Sequence, residues 1–376
     1  MKVLMLGRTD LRKMPGGDLV QIEQTAAALK ALGVEVEIST NWEVEMEGFD
    51  VIHVFQLDWN SECFLYARNA KLVGKPVVLS PIHHNIHEVD LWENNFAFGL
   101  RKVSNFFFHN QFTRDTIKIL YRAMFSDKNK RLPAIYALSM GLKNLHAQTL
   151  KLANIVLVQT LKEAQDLKET YKTDFKWEKV SNGVGDVFLS DKVHDENYFP
   201  FKDYIVCVGR IESRKNQLSV ITAVENLRAA TGDNLQLVFV GKASQTNASY
   251  VSKFLKEVKQ RDWITHIDWI DYNRMPVVYS NAKVAVSASF FETTGLTLLE
   301  ALYSKCNAVA TGPRAQEVLG EYASYCNPVD ISSIEQAIET ELAKPRPLLP
   351  KNYAEEYTWK NVALKTLDVY RKVVLK

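Results

Sequence analysis

The sequence has few cysteines, no long apolar run and little excess of charge. Its 376 residues include four cysteines, none of them paired at the spacing of a metal or redox motif, which argues against disulfides and structural zinc. No 18-residue apolar run occurs, and the start of the chain has too few apolar residues for a signal peptide. The net charge of +2 gives no global field that would attract nucleic acid. We therefore expect a cytoplasmic protein without a membrane-spanning helix.

Short β-branched runs alternate with longer helical patterns, which is typical of a parallel α/β sheet. The polar stretch 190–203 separates two series of such runs and predicts a linker. It divides the chain into an N-terminal domain over 1–189, a second domain over 204–352 and a final helix within 353–376 that crosses back to the first domain. The runs predicted as strands are 2–7, 34–40, 50–55, 75–80 and 154–160, then 204–209, 235–241, 283–289 and 307–312.

Two carboxylates flank a predicted turn in SFFETTGLTLLEA (289–301). The turn, Thr293 to Gly295, lies at a helix N-terminus, where free N–H groups and the helix dipole form an anion site. Glu292 precedes this turn, and Glu300 lies roughly 7 Å along the helix beyond it. A diphosphate with hydroxyls on both sides, as in a nucleotide sugar, fits this layout. The spacing alone leaves a plainer alternative open, in which Glu292 caps the helix and Glu300 is solvated.

Two further stretches could contact phosphate. VGRIESRKNQ (208–217) places Arg210 and Lys215 after a buried strand, where they would neutralise charge on a departing diphosphate, although plain surface charge is the alternative. MPGGDLVQ (14–21) places Gly16 and Gly17 before the first helix, where they could admit a phosphate, with Asp18 as the predicted cap. The stretch lacks the three-glycine dinucleotide fingerprint, which argues against NAD.

Histidines follow the fourth predicted strand in SPIHHNIHE (80–88), at His83, His84 and His87. Their spacing on a loop without an ordered acid partner argues against zinc. The chain also lacks an Asp-x-Asp pair, which argues against a metal-held diphosphate. We expect no metal and no cofactor, because cationic side chains and helix termini can stabilise the same charge.

Residues 101–146 contain nine Lys or Arg and two Asp, with aromatic residues interleaved. Basic and aromatic amphipathic segments lie in anionic membrane interfaces. They also occur as ordinary helices with a solvated basic face, and less often in nucleic-acid binding. The membrane and plain-surface alternatives both stay open, and we expect no nucleic-acid partner. The candidate membrane or acceptor surface comprises Arg101, Lys102, Phe106, Phe107, Arg114, Lys118 and Arg122.

Five motifs occur in order across most of the chain: GGDLVQ (16–21), VSNGVGDVF (180–188), VGRIESRKN (208–216), SFFETTGLTLLEA (289–301) and YTWKNV (357–362). With these motifs the chain resembles the retaining glycosyltransferases of family four, the group 1 type. The resemblance implies the GT-B fold, in which two Rossmann-like, doubly wound parallel-sheet domains face each other across a cleft. The N-terminal domain binds the acceptor in that family.

The resemblance also implies roles for individual residues. Glu292 and the backbone of Thr294, Gly295 and Leu296 would bind the hexose and diphosphate, and Glu300 would bind the ribose. Arg210 and Lys215 would hold the diphosphate, and Gly17, with Gly16 beside it, would meet it from the other domain. His83 or His84 would touch the donor sugar. The candidate catalytic residues are therefore Glu292, Arg210, Lys215, His83 and His84. Thr293 and Thr294 replace the family's usual Gly-Phe, which leaves the shape of the hexose pocket open.

The implied activity is transfer of a hexosyl group from a UDP- or GDP-linked donor to a saccharide or lipid-linked acceptor in polysaccharide or glycolipid synthesis. Such an acceptor would bring the enzyme to the inner face of the membrane. Two other classes remain open from the sequence. A nucleotide-sugar epimerase or hydrolase would consume the donor without an acceptor, and a non-catalytic protein would bind the nucleotide without turnover.

Overall fold

The computed structural model describes residues 1–13, 16–96, 108, 110–125, 128–189 and 197–375. The strands are β1 Lys2–Leu6, β2 Glu35–Ser39, β3 Val51–Phe55, β4 Val77–Ser80, β5 Ile155–Val158, β6 Trp177–Lys179, β7 Tyr204–Val208, β8 Leu237–Val240, β9 Ile264–Ile267, β10 Ala282–Val286, β11 Asn307–Ala310 and β12 Ala323–Tyr325. The helices are α1 Gly17–Ala31, α2 Glu62–Leu72, α3 Ile86–Phe96, α4 Gln111–Phe125, α5 Arg131–Met140, α6 Leu142–Leu152, α7 Leu161–Tyr171, α8 Gln217–Thr231, α9 Ala248–Lys259, α10 Met275–Asn281, α11 Leu296–Tyr303, α12 Gly312–Leu319, α13 Ile331–Ala343, α14 Lys351–Glu356 and α15 Trp359–Val374.

The strands form two six-stranded parallel sheets. The first has the order β2-β1-β3-β4-β5-β6, and the second has the order β12-β11-β10-β7-β8-β9. The central strands are buried along their whole length, as β3, β4 and β8 show. Helices must cover both faces of such a sheet, which explains why these strands are continuous apolar runs and do not alternate.

In each sheet the strand order reverses beside one central strand. In the second sheet β7 pairs with β10 on one side and with β8 on the other. The loops that follow β7 and β10 therefore start next to each other at the carboxyl edge. Open α/β sheets bind ligands at this switch point, because the two loops turn away in opposite directions and leave a crevice.

The described residues form two compact units. The first consists of Met1–Ile86, Phe106–Gly183 and Glu356–Lys376, and the second of His87–Asn105 and Val184–Glu355, each as far as it is described. These bounds differ from the predicted domain bounds, because most of α3 packs on side chains of the second unit. Helix α15 belongs to the first unit, where Trp359 and Tyr370 share a core with β1.

The nine runs predicted as strands are all strands. The strands β6, β9 and β12, which the sequence did not indicate, are short, and all three lie at sheet edges with partly exposed side chains. The predicted cap of α1 is wrong: Gly16 occupies the cap position, and Asp18 instead accepts a hydrogen bond from Arg8 Nε at 2.6 Å. None of the helices within the described residues is long and apolar enough to cross a bilayer.

Candidate functional site

Two loops meet at the switch point of the second sheet. One follows β7 and contains Arg210, Arg214 and Lys215; the other follows β10 and contains Glu292. The backbone N–H of Phe290 donates to the carbonyl of Arg214 at 2.9 Å, which joins the two loops directly. The structure thus brings together Lys215 and Glu292, which are 77 residues apart in the sequence.

Lys215 and Glu292 form a half-buried ion pair. The Lys215 ammonium donates to Glu292 Oε1, and Arg214 Nη1 lies 3.9 Å from Glu292 Oε2. Burial alone would raise the pKa of the Glu292 carboxyl, but the charges of Lys215 and Arg214 outweigh it and lower the pKa to about 2. Glu292 is therefore an ionised carboxylate at any physiological pH, and it can accept hydrogen bonds from hydroxyl groups.

A second acid, Glu212, balances the remaining cations of this loop. Arg214 Nη2 lies 2.7 Å from Glu212 Oε1, and Arg210 Nη1 lies 3.9 Å from Glu212 Oε2. Burial opposes ionisation of Glu212, yet Arg214, Arg210 and Lys215 together lower its pKa. These five side chains are three cations and two anions, so the cluster has one positive charge in excess. The Arg210 side chain is 46% exposed, which leaves it accessible to an anionic ligand.

Arg214 is a residue that the sequence interpretation missed. Besides its contacts with the two acids, its guanidinium lies over the Phe291 ring at 5.2 Å and donates to the Phe291 carbonyl at 3.3 Å. It therefore holds the loop after β7 against the loop after β10. The sequence offered only a weak signal for it, an acid two residues earlier at Glu212.

Two glycines set the backbone at this edge of the sheet. Gly241, after β8, has φ +151°, and a Cβ there would lie 2.1 Å from the carbonyl oxygen of Gly209. Only glycine permits this approach of two backbones. Gly209 itself has φ +145°, and the Lys215 side chain passes over the space where its Cβ would be. Gly241 therefore lets the ends of β7 and β8 approach closely, and Gly209 adopts a backbone conformation that other residues rarely take.

The predicted turn before α11 is confirmed. Gly295 has φ +67° and is the N-cap, no side chain caps this helix, and α11 begins at Leu296. Thr294 is buried beside it. The first amides of a helix have no intrahelical partner, so this end has the donors and the dipole that an anion needs. The alternative in which Glu292 caps the helix is wrong, because Gly295 occupies that position.

Glu300 lies inside α11 and is buried, so the alternative of a solvated Glu300 is wrong as well. The Tyr272 hydroxyl donates to Glu300 Oε1 at 2.7 Å. Burial raises the pKa of Glu300 to about 7, and the Tyr272 hydrogen bond only partly offsets that effect. The Tyr272 ring packs against Gly185, where a Cβ would lie 2.9 Å from the ring. Tyr272 had no signal in the sequence, because it comes from a separate loop.

Phe290 and Phe291, which precede Glu292, are buried against α3. Trp92 meets Phe291 edge-on at 5.7 Å between ring centroids, and Phe96 stacks on Phe290 at 4.5 Å. This small apolar cluster within the second unit fixes the start of the turn. The sequence analysis assigned α3 to the first domain and so did not connect these aromatic residues.

The predicted histidines of the first unit lie on a buried acid. Asp58 Oδ1 lies 2.5 Å from His83 Nδ1, and Asp58 Oδ2 accepts from the His84 amide at 2.6 Å. Burial opposes ionisation of Asp58, but His83 and His84 hold its pKa well below its usual range. His83 has no exposed surface, whereas the His84 side chain is 13% exposed, so His84 is the better placed of the two to touch a ligand. In the described part of the chain, no group of three or more His, Cys, Asp or Glu could hold a metal ion.

Five of the other predicted residues, Gly16, Gly17, Arg114, Lys118 and Arg122, lie in the first unit. Gly16 and Gly17 begin α1. In the basic segment, Arg114 is buried and donates to Gln111, Lys118 lies 3.0 Å from Asp115, and Arg122 lies 3.8 Å from Asp10. Arg101, Lys102, Phe106 and Phe107 fall outside the described residues. The three described residues of the predicted surface therefore also have structural partners.

Residues 192–356 match the family described as Glycosyl transferases group 1. This segment belongs to that family. The glycosyl transferases group 1 segment contains the loops after β7 and β10, Tyr272 and both glutamates of the turn. The group 1 type that the five motifs indicated is thus confirmed for this part of the chain, whereas the retaining mode stays a prediction.

Curated relatives are similar over part of their length. The chain is 24% identical over 183 residues to O-antigen chain mannosyltransferase B of Escherichia coli, which covers 46% of each protein. It is 24% identical over 212 residues to O-antigen chain mannosyltransferase RfbU of Salmonella typhimurium, covering 55% of this chain and 56% of the relative. The chain therefore matches about half the length of these relatives.

A solved structure is similar over the whole chain. Sucrose-phosphate synthase from Thermosynechococcus elongatus superposes with a TM-score of 0.73 at 16% identity, covering 100% of this chain and 99% of that one. At this identity the likeness shows the fold alone. Together with the two parallel six-stranded sheets, it confirms the predicted α/β class and GT-B fold.

Proposed function

We propose that this protein is a retaining, metal-independent glycosyltransferase that moves a hexosyl group from a nucleotide sugar to a saccharide or lipid-linked saccharide. The observation that supports it best is the Lys215–Glu292 ion pair at the switch point, beside the amides of the Gly295 turn. Its position inside the glycosyl transferases group 1 segment favours this function over a non-catalytic nucleotide-binding role. The names of both curated relatives favour polysaccharide synthesis and make mannose the first sugar to test.

The donor diphosphate would lie between the cations and the turn. Arg210 and Lys215 would contact its oxygens, and the backbone of Thr294, Gly295 and Leu296 would donate to it. Glu292, kept ionised by Lys215, would accept from hydroxyls of the hexose. Glu300 would accept from the ribose. Each of these contacts places a donor opposite an acceptor, which matches the chemistry of a nucleotide sugar.

Catalysis would consist of charge stabilisation during a same-face displacement. The bond from the anomeric carbon to the diphosphate oxygen breaks while the acceptor oxygen bonds to that carbon on the same face. The acceptor proton passes to the departing phosphate oxygen, so no separate base is required. Arg210, Lys215 and the helix amides stabilise the negative charge that grows on the diphosphate, which is the role a metal ion has in other transferases. Among residues of the first unit, His84, held by Asp58, stays the candidate for contact with a sugar.

A product assay tests this proposal. The protein is incubated with UDP-, GDP- and ADP-linked hexoses, with and without saccharide and lipid-linked acceptors. We expect nucleotide release that depends on acceptor, retention of the anomeric configuration in the product, and full activity in EDTA. Donor turnover without any acceptor would indicate an epimerase or hydrolase, and donor binding without turnover in any condition would indicate a non-catalytic protein. Activity lost in EDTA and restored by magnesium would contradict the metal-independent mechanism.

A further inference from the structure

An apolar face on the first unit lies on α4 and α5. We define it as Ile117, Tyr121, Met124, Phe125, Ile135 and Leu138, all exposed. The four residues of α4 are spaced as one stripe of a helix, and Ile135 and Leu138 are one turn apart on α5. The side chains of all but Ile117 are 57–69% exposed, which is high for residues of this size. Single exposed apolar residues are common on proteins, but a contiguous set indicates an interaction surface.

The apolar face continues into a groove between α4, α5 and α6. The groove has a volume of about 720 Å³, and Ile117 and Leu138 belong both to its lining and to the apolar face. The deeper lining includes Phe112, Leu120 and Leu142. A hydrocarbon chain that enters from the apolar face would therefore meet many apolar side chains. The polar side chains of the lining include Asn110, Thr113, Thr116, Lys143 and Asn144, and no acid is among them.

Cations surround this face. Lys128 lies between the two helices in sequence, Arg131 begins α5, and both are exposed; Lys143 is exposed where it lines the groove. Arg122 is partly exposed on α4. Apolar side chains bordered by Lys and Arg are complementary to an anionic lipid surface, because acyl chains and phosphate headgroups are separated over a similar distance.

A buried ion pair holds both helices on the first unit. Lys130, at the start of α5, is buried with its Nζ 2.7 Å from Glu62 Oε1 and 3.5 Å from Asp10 Oδ2. Arg122 of α4 lies 3.8 Å from the same Asp10 oxygen. These contacts fix the two helices to the ends of β1 and α2, so the apolar face belongs to a well-anchored element.

We propose that the apolar face and its basic margin bind the interfacial region of an anionic phospholipid bilayer, with the groove taking up acyl chain. Nucleic acid is a poorer match, because Ile117, Met124 and Leu138 have no planar group to stack on a base. The proposal does not depend on the donor site, whose loops belong to the second unit. It places any transferase activity of the chain at a membrane surface, where a lipid-linked acceptor would be found.

Flotation with vesicles tests the inference on the full chain. Vesicles of phosphatidylcholine alone are compared with vesicles containing a third phosphatidylglycerol, at low and high salt. We expect binding to the anionic vesicles that weakens with salt. The double variant Met124→Glu/Phe125→Glu should lower partitioning by about tenfold or more, because it removes two inserted side chains and adds two repelling charges. Lys128→Ala/Arg131→Ala should lower binding to anionic vesicles by a smaller factor.

The matched control is Leu72→Glu/Leu348→Glu, which changes two leucines that are 71% and 79% exposed outside the apolar face. It should bind vesicles as the wild type does, and all variants should keep the wild-type unfolding temperature. Equal binding by the Met124/Phe125 variant and the wild type would overturn the proposal. The absence of vesicle binding by the wild type would also overturn the proposal. That conclusion would hold whether the wild type is a dimer that the Met124/Phe125 variant dissociates, a binder of oligonucleotides or a plain monomer.

Discussion

Glu292 and Glu300 lie eight positions apart on either side of one turn, yet their surroundings drive their ionisation in opposite directions. At the start of the turn, Glu292 contacts Lys215, and its pKa falls to about 2. Inside the helix, Glu300 contacts only the neutral Tyr272 hydroxyl among the hydrogen bonds described, and burial raises its pKa to about 7. Tyr279, the other titratable group that faces Glu300, is neutral as well.

The difference shows that two identical residues in one motif can have different chemistry. A permanently ionised Glu292 suits a fixed contact with sugar hydroxyls, and its charge partner is one of the cations proposed to hold the diphosphate. A Glu300 that titrates near neutrality would make the proposed ribose contact depend on pH, since only the ionised form accepts from two hydroxyls at once. Variants of each glutamate and of its partner should therefore differ in stability, turnover and donor binding.

The largest expected effect is on stability as a function of pH. Glu300 has a folded pKa near 7 against 4.5 for the free group, so the folded state binds the proton more tightly and stability falls as pH rises between these values. The shift corresponds to about 3 kcal/mol. Glu300→Gln should remove this loss, so that the variant gains stability relative to the wild type from pH 4.5 to 7. Urea unfolding across this range measures the difference.

Glu292 should show the opposite sign. Its folded pKa near 2 lies below 4.5, so it stabilises the fold above pH 4.5 and this contribution is lost as pH falls toward 2. Glu292→Gln should therefore be less stable than the wild type at neutral pH, and the deficit should shrink below pH 4.5. If the stability of Glu292→Gln and of Glu300→Gln changed with pH in the same way, the opposite pKa shifts of the two glutamates would be contradicted.

The next effect is on turnover. Lys215→Ala removes both the partner of Glu292 and a cation that would stabilise the departing diphosphate. We expect the rate of donor consumption at saturation to fall at least tenfold, equivalent to about 1.4 kcal/mol of barrier. Lys253→Ala, at an exposed position of α9, is the matched control and should keep full activity. Equal activity of the two variants would remove Lys215 from the site.

A smaller effect is expected on donor binding. In the wild type, the donor Michaelis constant should fall as pH rises through about 7, because Glu300 ionises. At pH 8 the Michaelis constant of Glu300→Gln should be several-fold higher than that of the wild type, and similar to that of the wild type at pH 6. It should depend little on pH. Turnover at saturation should change less. A variant with the wild-type pH profile would show that Glu300 does not contact the donor.

The smallest effect is expected for Tyr272→Phe. Its hydroxyl lowers the pKa of Glu300, so its removal should move the midpoint of the donor pH profile upward. The Michaelis constant at neutral pH should rise about threefold, with turnover unchanged. The ring itself stays packed against Gly185, so the unfolding temperature should change little. An unshifted midpoint would show that Tyr272 does not position Glu300.

Local patterns in the sequence predicted the central strands, the turn before α11 and the cations after β7, because each depends on neighbours within one segment. Apolar runs such as 204–209 indicate buried strands, and the glycine at 295 indicates a helix start. The short edge strands escaped prediction because their side chains are half exposed and mixed in polarity. The burial of Glu300 escaped it for another reason: Tyr272, which covers it, lies 28 residues away.

The residues of the site likewise divide into those with a signal in their own segment and those whose role depends on a distant segment. Lys215 and Glu292 could be proposed singly, but their pairing required the strand order in which β7 lies beside β10. Arg214 was overlooked because its role depends on Phe291, which also comes from the neighbouring loop. The packing of Trp92 on Phe291 depends on α3 joining the second unit. Contacts between distant segments were thus the part that the sequence could not supply.

The most direct test of the central claim is a crystal structure of the protein with bound UDP or GDP. The account predicts a diphosphate within hydrogen-bonding distance of Lys215 and of the backbone at 294–296, with the ribose hydroxyls on Glu300. A nucleotide bound at another place, with Lys215 still paired to Glu292 and directed away from the phosphates, would contradict it.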